Sequence, residues 1–290
     1  MKIIAGLSEI AAEYEAILCD VWGVVHNGRE YFSAACEALA RFRSNGGVVV
    51  LITNAPRPNS PVRAQLEGLG VPRSTFDDIV TSGDVTLTRI AAHGATPLHH
   101  IGPPRDLSLF EILERQTGLK PPLVPLEEAG YVVCTGLFDD RAETPDDYDA
   151  SLSSMKSRNL EMISANPDLV VHVGDTLLYC SGAIAERYAS IGGKVVQAGK
   201  PFGPIYEEAL RLVEGRAGHA VERHKILAIG DGMPTDVKGA RDFGLDCLFV
   251  ASGIHRDDLL ADAVLDKRAA AQLFDTVGAT PTAMIADLVW

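Results

Sequence analysis

The stretch Ala16-Ile17-Leu18-Cys19-Asp20-Val21-Trp22-Gly23-Val24-Val25-His26-Asn27-Gly28 decides the reading of this chain. Four residues without a charge run straight into an aspartate, and a glycine-punctuated turn follows. A short apolar run that does not alternate with polar residues fits a strand buried on both faces of a parallel sheet. Similar runs occur at 48–52, Tyr131–Cys134, 194–196, 226–229 and 247–250, with amphipathic stretches between them. Ser60-Pro61 reads as a cap and first-turn proline ahead of a helix over 62–69 closed by Gly70. Thr144-Pro145-Asp146-Asp147 reads as the start of a helix through Met155, and Pro204 opens one over 205–213 closed by Gly215. Alternating strands and helices predict an α/β protein with right-handed crossovers. From about Thr81 to Cys180 the pattern is broken by Pro103-Pro104, Pro121-Pro122 and Asp139-Asp140. That middle reads as an insertion into a sheet built from both chain ends.

Composition bounds the function. The 290 residues suggest two domains, at roughly 150 residues each. Acidic residues number 39 against 26 basic ones, a net charge of −13, which disfavours nucleic acid as a partner because phosphate backbones attract clustered Lys and Arg. No apolar run approaches the ~18 residues of a membrane span. The start Met1-Lys2-Ile3-Ile4-Ala5-Gly6-Leu7-Ser8-Glu9 meets charge too early for a secretory signal. Cys19, Cys36, Cys134, Cys180 and Cys247 are odd in number, spread out and free of any C-x-x-C pair. They fit reduced thiols in a cytoplasmic protein and support neither zinc nor a disulfide frame.

In open α/β sheets, ligands sit beyond the carboxyl ends of strands. Four segments follow strand-like runs near the chain ends: Asp20-Val21-Trp22-Gly23, Thr53-Asn54-Ala55-Pro56-Arg57, Gly199-Lys200-Pro201, and Gly230-Asp231-Gly232-Met233-Pro234-Thr235-Asp236. Singly, each has an ordinary explanation. An aspartate at a strand end is usually a turn or cap residue, Thr53-Asn54 fits a turn, and Lys200 fits a solvated surface. Together they offer one rim a carboxylate, a hydroxyl, an ammonium and a further carboxylate pair. That set suits phosphoryl transfer to an aspartate, in which a carboxylate nucleophile divides one hard step into two. Two anions approach each other only with charge neutralisation, which Mg²⁺ supplies through oxygen ligands. Asp20 and Asp231 can supply carboxylates to it, while Lys200 and Thr53 hold phosphoryl oxygens.

This combination resembles the haloacid dehalogenase (HAD) superfamily of hydrolases, whose four motifs match in order and spacing. Within it the chain looks like the class IIA branch of NagD-like and 4-nitrophenylphosphatase-like phosphatases. The branch features are Thr53-Asn54, a cap of about a hundred residues, Gly199-Lys200-Pro201, the hinge-like Thr81-Ser82-Gly83, and Ser164-Ala165-Asn166-Pro167-Asp168, similar to a substrate loop. The resemblance implies a Rossmann-like parallel-sheet core over 1–82 and 181–290 with an inserted α/β cap of C2 type over 83–180. It implies a Mg²⁺-dependent phosphatase acting on a small phosphorylated metabolite. Asp20 would be the nucleophile and a metal ligand, the Trp22 carbonyl a second ligand, and Asp231 a third. Asp236 would complete the metal site through water or orient Lys200. Thr53, Asn54 and the Ala55 amide would bind phosphate, and Lys200 would bridge nucleophile and phosphate. Asn166, Asp168, Asp84 and Arg57 are candidate substrate contacts. A homodimer is left open.

One residue departs from the pattern. Phosphatases of this family carry a second aspartate two residues after the nucleophile, which protonates the leaving oxygen and then activates water. Here that position is Trp22, which cannot titrate. General acid–base catalysis contributes about 10²–10⁴-fold, or roughly 3–5 kcal/mol, so the substitution is felt most with poor leaving groups. Four readings follow: another acid takes over, such as His26, Asp84 or Asp168; the enzyme is slow or restricted to activated phosphates; a different HAD chemistry operates; or the protein is silenced and binds a phosphorylated ligand or a partner. The first two, combined, are the expectation, and the fourth is the alternative. Each residue also has an ordinary role: Trp22 as packing, His26 as a flap residue, Asp84 as a cap of a helix over 85–92, and Asn166-Pro167-Asp168 as a turn. Rival motifs are absent. A P-loop would need Gly at 194 and Ser or Thr at 201, where Lys194 and Pro201 stand, and Gly230-x-Gly232 lacks the third glycine of a dinucleotide site.

Overall fold

The structure, a computed structural model, describes residues 1–173, 176–261 and 264–290. Its strands in chain order are β1 (Lys2–Ile3), β2 (Ala16–Cys19), β3 (Val48–Thr53), β4 (Asp78–Thr81), β5 (Leu98–Ile101), β6 (Tyr131–Cys134), β7 (Glu161–Ser164), β8 (Val170–Val173), β9 (Thr176–Tyr179), β10 (Lys194–Gln197), β11 (Ile226–Gly230), β12 (Asp246–Val250), β13 (Leu260–Ala261), β14 (Val264–Leu265) and β15 (Ala283–Ile285). The chain forms two compact units. One comprises Met1–Thr53, Arg63–Val80 and Lys200–Trp290, and the other Asn54–Val62 and Thr81–Gly199.

The first unit is built on a sheet of order β1-β15-β12-β11-β2-β3-β4. The pairings from β1 through β3 are parallel. Every residue of β2 and β11 is buried, which is why their sequences are apolar without alternation. The helices Ser33–Ser44 and Gly203–Ala217 pack on β3. From β2 the chain steps outward to β3 and β4, whereas β12 and β15 lie on the other side of β11. The direction of winding therefore changes between β2 and β11, the place where open α/β sheets open a crevice at their carboxyl ends. Register makes those ends level: Cys19 pairs with Ile229 on one side and Leu51 on the other.

The second unit holds a parallel sheet of order β10-β7-β6-β5. Alternation along β6 divides its core into two layers. Val132 and Cys134 face Leu152, Met155, Ile184 and Tyr188, while Tyr131 and Val133 face Leu87, Ile90, Leu109 and Leu113. β8 and β9 pair antiparallel in a separate two-stranded sheet. The parallel α/β architecture with an additional sheet is the one the sequence predicts.

Several local features differ from the expectation. The run at 194–196 does not lie in the large sheet; it pairs with β7 in the smaller one, so the second unit takes in residues 181–199. Gly215 does not close a helix; Gly203–Ala217 runs through it and stops at Gly218, whose φ of +79° suits glycine at a helix end. The helix expected from Ser60 begins at Asn59, and the one expected from Thr144 starts as a 3-10 turn over Pro145–Tyr148 before Asp149–Ser157.

Candidate functional site

The large sheet ends in acid. Asp20 follows β2, Asp231 follows β11, and Asp236 sits on the turn of π-helical backbone over Met233–Val237. All three are buried, at 7%, 6% and 3% exposure. One carboxylate oxygen of each lies within 4.8 Å of the others. Lys200, 2% exposed, places its Nζ 2.6 Å from Asp20 Oδ1 and 2.7 Å from Asp236 Oδ1. Backbone amides complete the frame. Val21 N–H donates to Asp20 Oδ1 at 2.7 Å, Ile254 N–H to Asp231 Oδ2 at 2.7 Å, and Gly232 N–H to Asp236 Oδ2 at 3.0 Å.

Glycines make this density feasible. A Cβ on Gly23 or Gly253 would collide with the Asp231 carboxylate, one on Gly230 with Asp236, and one on Gly232 with the Thr235 hydroxyl. Gly23 also has φ +82°, a conformation that costs other residues about 1–2 kcal/mol. The loop Ser252-Gly253-Ile254 is the part of the site that the sequence reading missed. It follows β12 as the other motifs follow their strands, so the same strand-end rule would have found it.

The electrostatics describe a site short of positive charge. Burial raises the Asp231 carboxyl well above the ordinary range, Asp20 and Asp236 add to this, and the Ile254 amide and Lys200 oppose it. Burial and Asp20 raise Asp236 to about 6 despite its bond to Lys200. Burial alone would depress Lys200, but the two carboxylates it touches outweigh that and raise it. Three buried carboxylates with one ammonium, cradled by glycine backbone, suit a small divalent cation that prefers oxygen ligands.

Thr53 ends β3 and is 6% exposed. Next to it the chain passes into the second unit, where Asn54 Nδ2 donates to Asp168 Oδ1 at 2.8 Å. Gly83 N–H donates to the Ala55 carbonyl at 3.1 Å. The Asp168 amide donates to Asn166 Oδ1 at 3.0 Å, an Asx turn, so the ordinary reading of this loop and a functional one coexist. Asp84 occupies a capping box at the helix Ser82–Ala92. Its Oδ2 accepts from the Thr81 amide and hydroxyl, and its Oδ1 from Asn59. Half-buried Arg57 lies in the field of buried Asp106, whose carboxyl burial raises while Arg105, Thr135 and Arg57 pull it down.

Trp22 is half-buried. Its ring lies against the backbone of Gly28, where a Cβ would meet it, and stands edge-on to His26 with centroids 5.0 Å apart. His26 is 2% exposed, and its Nδ1 accepts from Gly28 N–H at 2.9 Å, which leaves the neutral ring its proton on Nε2. Burial pushes its pKa down to about 4. The Trp22 indole thus packs the turn after β2.

Comparison with known proteins identifies the family. Residues 17–114 match the family described as haloacid dehalogenase-like hydrolase, and residues 197–280 the one described as HAD-hydrolase-like. The crystal structure of a haloacid dehalogenase-like hydrolase from Brucella suis 1330 is 46% identical, with 99% of this chain and 100% of that one covered at a TM-score of 0.86. The 5'-nucleotidase YutF of Bacillus subtilis (strain 168) is 25% identical, over 86% of this chain and 91% of its own. The phospholysine phosphohistidine inorganic pyrophosphate phosphatase of Bos taurus is 29% identical, over 92% of this chain and 96% of its own. The first matched segment contains Asp20, the second contains Lys200, Asp231 and Asp236, and the Brucella relative spans the whole chain, so this protein belongs to the haloacid dehalogenase-like hydrolase family.

Proposed function

We propose that the chain is a phosphatase of the class IIA branch that acts on a small phosphorylated metabolite, with Mg²⁺ as cofactor and the inserted unit as its cap. The observation that carries this is the buried set of Asp20, Asp231, Asp236 and Lys200 in its glycine cradle. Asp20, Asp231, Asp236 and the Trp22 carbonyl would hold the ion, which when bound supplies charge neutralisation between carboxylate and phosphate.

Asp20 attacks phosphorus, the bond to the leaving oxygen breaks, and its electron pair departs with that oxygen. Thr53, Asn54, the Ala55 amide and Lys200 hold the phosphoryl oxygens while charge redistributes. Water then attacks the aspartyl-phosphate, the bond to Asp20 breaks, the carboxylate is restored, and the water's protons leave with phosphate and solvent.

Trp22 narrows the substrate. It has no proton to give a leaving oxygen, and His26 presents its Nδ1 lone pair to the Gly28 amide. Asp84 uses both oxygens as acceptors within its helix cap. Substrates whose leaving group departs without protonation, such as acyl and aryl phosphates, are therefore favoured. The bovine relative's name fits this, since pyrophosphate leaves as inorganic phosphate, and a phospholysine or phosphohistidine whose nitrogen already carries a proton leaves as a neutral base without one from the enzyme. The Bacillus relative is a 5'-nucleotidase, whose leaving group is an alcohol, and it weighs on the other side.

Purified protein assayed with Mg²⁺ on acetyl phosphate, 4-nitrophenyl phosphate and glycerol phosphate tests both levels. Turnover is expected on the first two and is lost in Asp20→Asn; equal rates in wild type and Asp20→Asn reject the phosphatase. Trp22→Asp is expected to raise the rate on glycerol phosphate by about 10²-fold or more. No change in a folded variant rejects the leaving-group restriction. The binding-only alternative predicts stabilisation by ligand without any turnover, and nothing in the intact nucleophile and metal set favours it.

A further inference from the structure

We infer that Asp168 is a positioning residue that fixes the Asn54 side chain, and through it the Asn54-Ala55 peptide, in the orientation the phosphate grip needs. This rests on the function proposed above and assigns a task to a loop otherwise read as a substrate contact or a plain turn.

The 166–168 loop is braced from behind. Asn166 N–H donates to Ser181 Oγ at 3.0 Å, and Ser181 Oγ donates to the Asn166 carbonyl at 2.8 Å. Ser181 is fully buried at the start of the helix Ser181–Ser190. A Cβ on Gly182 would overlap the backbone of Pro167 and Asp168, so helix and loop are in direct contact. The Asx turn from Asn166 then sets the Asp168 backbone. From this fixed base Asp168 Oδ1 accepts from Asn54 Nδ2 at 2.8 Å, a charge-assisted bond to a side chain only 4% exposed.

The segment that receives the bond is held on its other side as well. Gly83 N–H bonds the Ala55 carbonyl, and a Cβ on Gly83 would overlap the backbone of Pro56 and Arg57. A Cβ on Gly199 would overlap Asn54 Oδ1 and Pro167. The Asn54 side chain and the Ala55 carbonyl flank a single peptide, whose N–H is the Ala55 amide. With both flanks fixed, that peptide has little freedom to rotate. Removing Asp168 would release one flank, and the amide would lose its aim before any substrate contact is lost.

The test is equilibrium binding of inorganic phosphate, with Mg²⁺, to wild type, Asp168→Ala, Asp168→Asn, Asn54→Ala and the Asp168→Ala/Asn54→Ala pair. KM, kcat and melting temperature are measured on the same samples. Asp168→Ala is expected to weaken phosphate about tenfold, the scale of one such bond, and to raise KM more than it lowers kcat. Asp168→Asn keeps an acceptor oxygen and is expected to stay within about threefold of wild type. The pair is expected to bind no more weakly than Asn54→Ala alone, because both changes cut one connection. Phosphate affinity unchanged in Asp168→Ala, or additive losses in the pair, overturns the inference. Lower kcat/KM at unchanged phosphate affinity also overturns it, assigning Asp168 to the rest of the substrate. Should Asp168→Ala not fold, Asp168→Ser replaces it in the same comparison. A wild type whose phosphate affinity depends on Asp168 yet which turns nothing over refutes the phosphatase and leaves the positioning role standing. A wild type that turns over with Asp168-independent affinity does the reverse, and one that binds no phosphate overturns both.

Discussion

Trp22 is a bulky indole two residues after Asp20, and the structure shows how the local backbone accommodates it. Gly28 has φ +86° and donates its N–H to His26, and its missing Cβ leaves room for the indole. Gly28→Ala therefore combines left-handed strain of about 1–2 kcal/mol with overpacking of about 1–3 kcal/mol. The expected loss in chemical denaturation is roughly 2–5 kcal/mol. Adding Trp22→Ala to Gly28→Ala is expected to recover the overpacking part but not the strain. Strict additivity of the two would show that ring and turn are uncoupled. At this scale much is legible in the sequence: residue type and position after strand-like runs single out Asp20, Lys200, Asp231 and Asp236, and the structure brings them together. The direction of the Trp22 ring is not, because a side chain's orientation follows from what its neighbours leave empty.

Elements explain why some candidate residues hold the fold together as well. Asp84 closes the capping box with Thr81 and ties in Asn59. Asp84→Ala is expected to lower stability by about 1–2 kcal/mol while kcat/KM stays within about twofold; a tenfold drop in a folded variant would restore Asp84 as a substrate contact. At the end of β5, His100 Nε2 meets Thr135 Oγ1 at 2.9 Å, and burial, aided by His99, pushes its pKa down to about 4. Its ordinary value is about 6.5. Above pH 6.5 neither the folded nor the unfolded state protonates this ring. As pH falls from 6.5 towards 4 the unfolded chain gains a proton that the folded one refuses, so stability drops, by up to about 3 kcal/mol. His100→Gln should flatten this part of the stability–pH curve, leaving the contribution of similarly depressed His26. An unchanged slope would show that His100 titrates normally. Element identity was readable from apolar runs and caps, but helix ends were less so. Gly215 looked like a stop, yet the helix continues to Ala217, since one glycine costs only about 1 kcal/mol against the packing of the whole face.

For the whole molecule, the acidic excess acquires a location as well as a size. Three carboxylates of the 39 acidic residues are buried around one lysine, and relieving their repulsion should stabilise the fold. Mg²⁺ at a hundred times its dissociation constant is expected to add about 2.7 kcal/mol and raise the melting temperature. Chelation should reverse this, and Asp231→Asn should abolish it. A shift of equal size in that variant would place the ion elsewhere. Among the described residues no helix is long and apolar enough to cross a membrane, and the five cysteines are all buried and free of disulfides. The sequence by itself determined the α/β class, most strand positions and which acidic and basic residues gather at the rim of the large sheet, because burial on both faces and polar residues at strand ends leave marks within a few residues. Tertiary structure alone decided that β10 joins the second sheet and that Asp168 reaches Asn54 across 114 residues. These depend on which distant segments approach each other, and local periodicity does not encode that proximity.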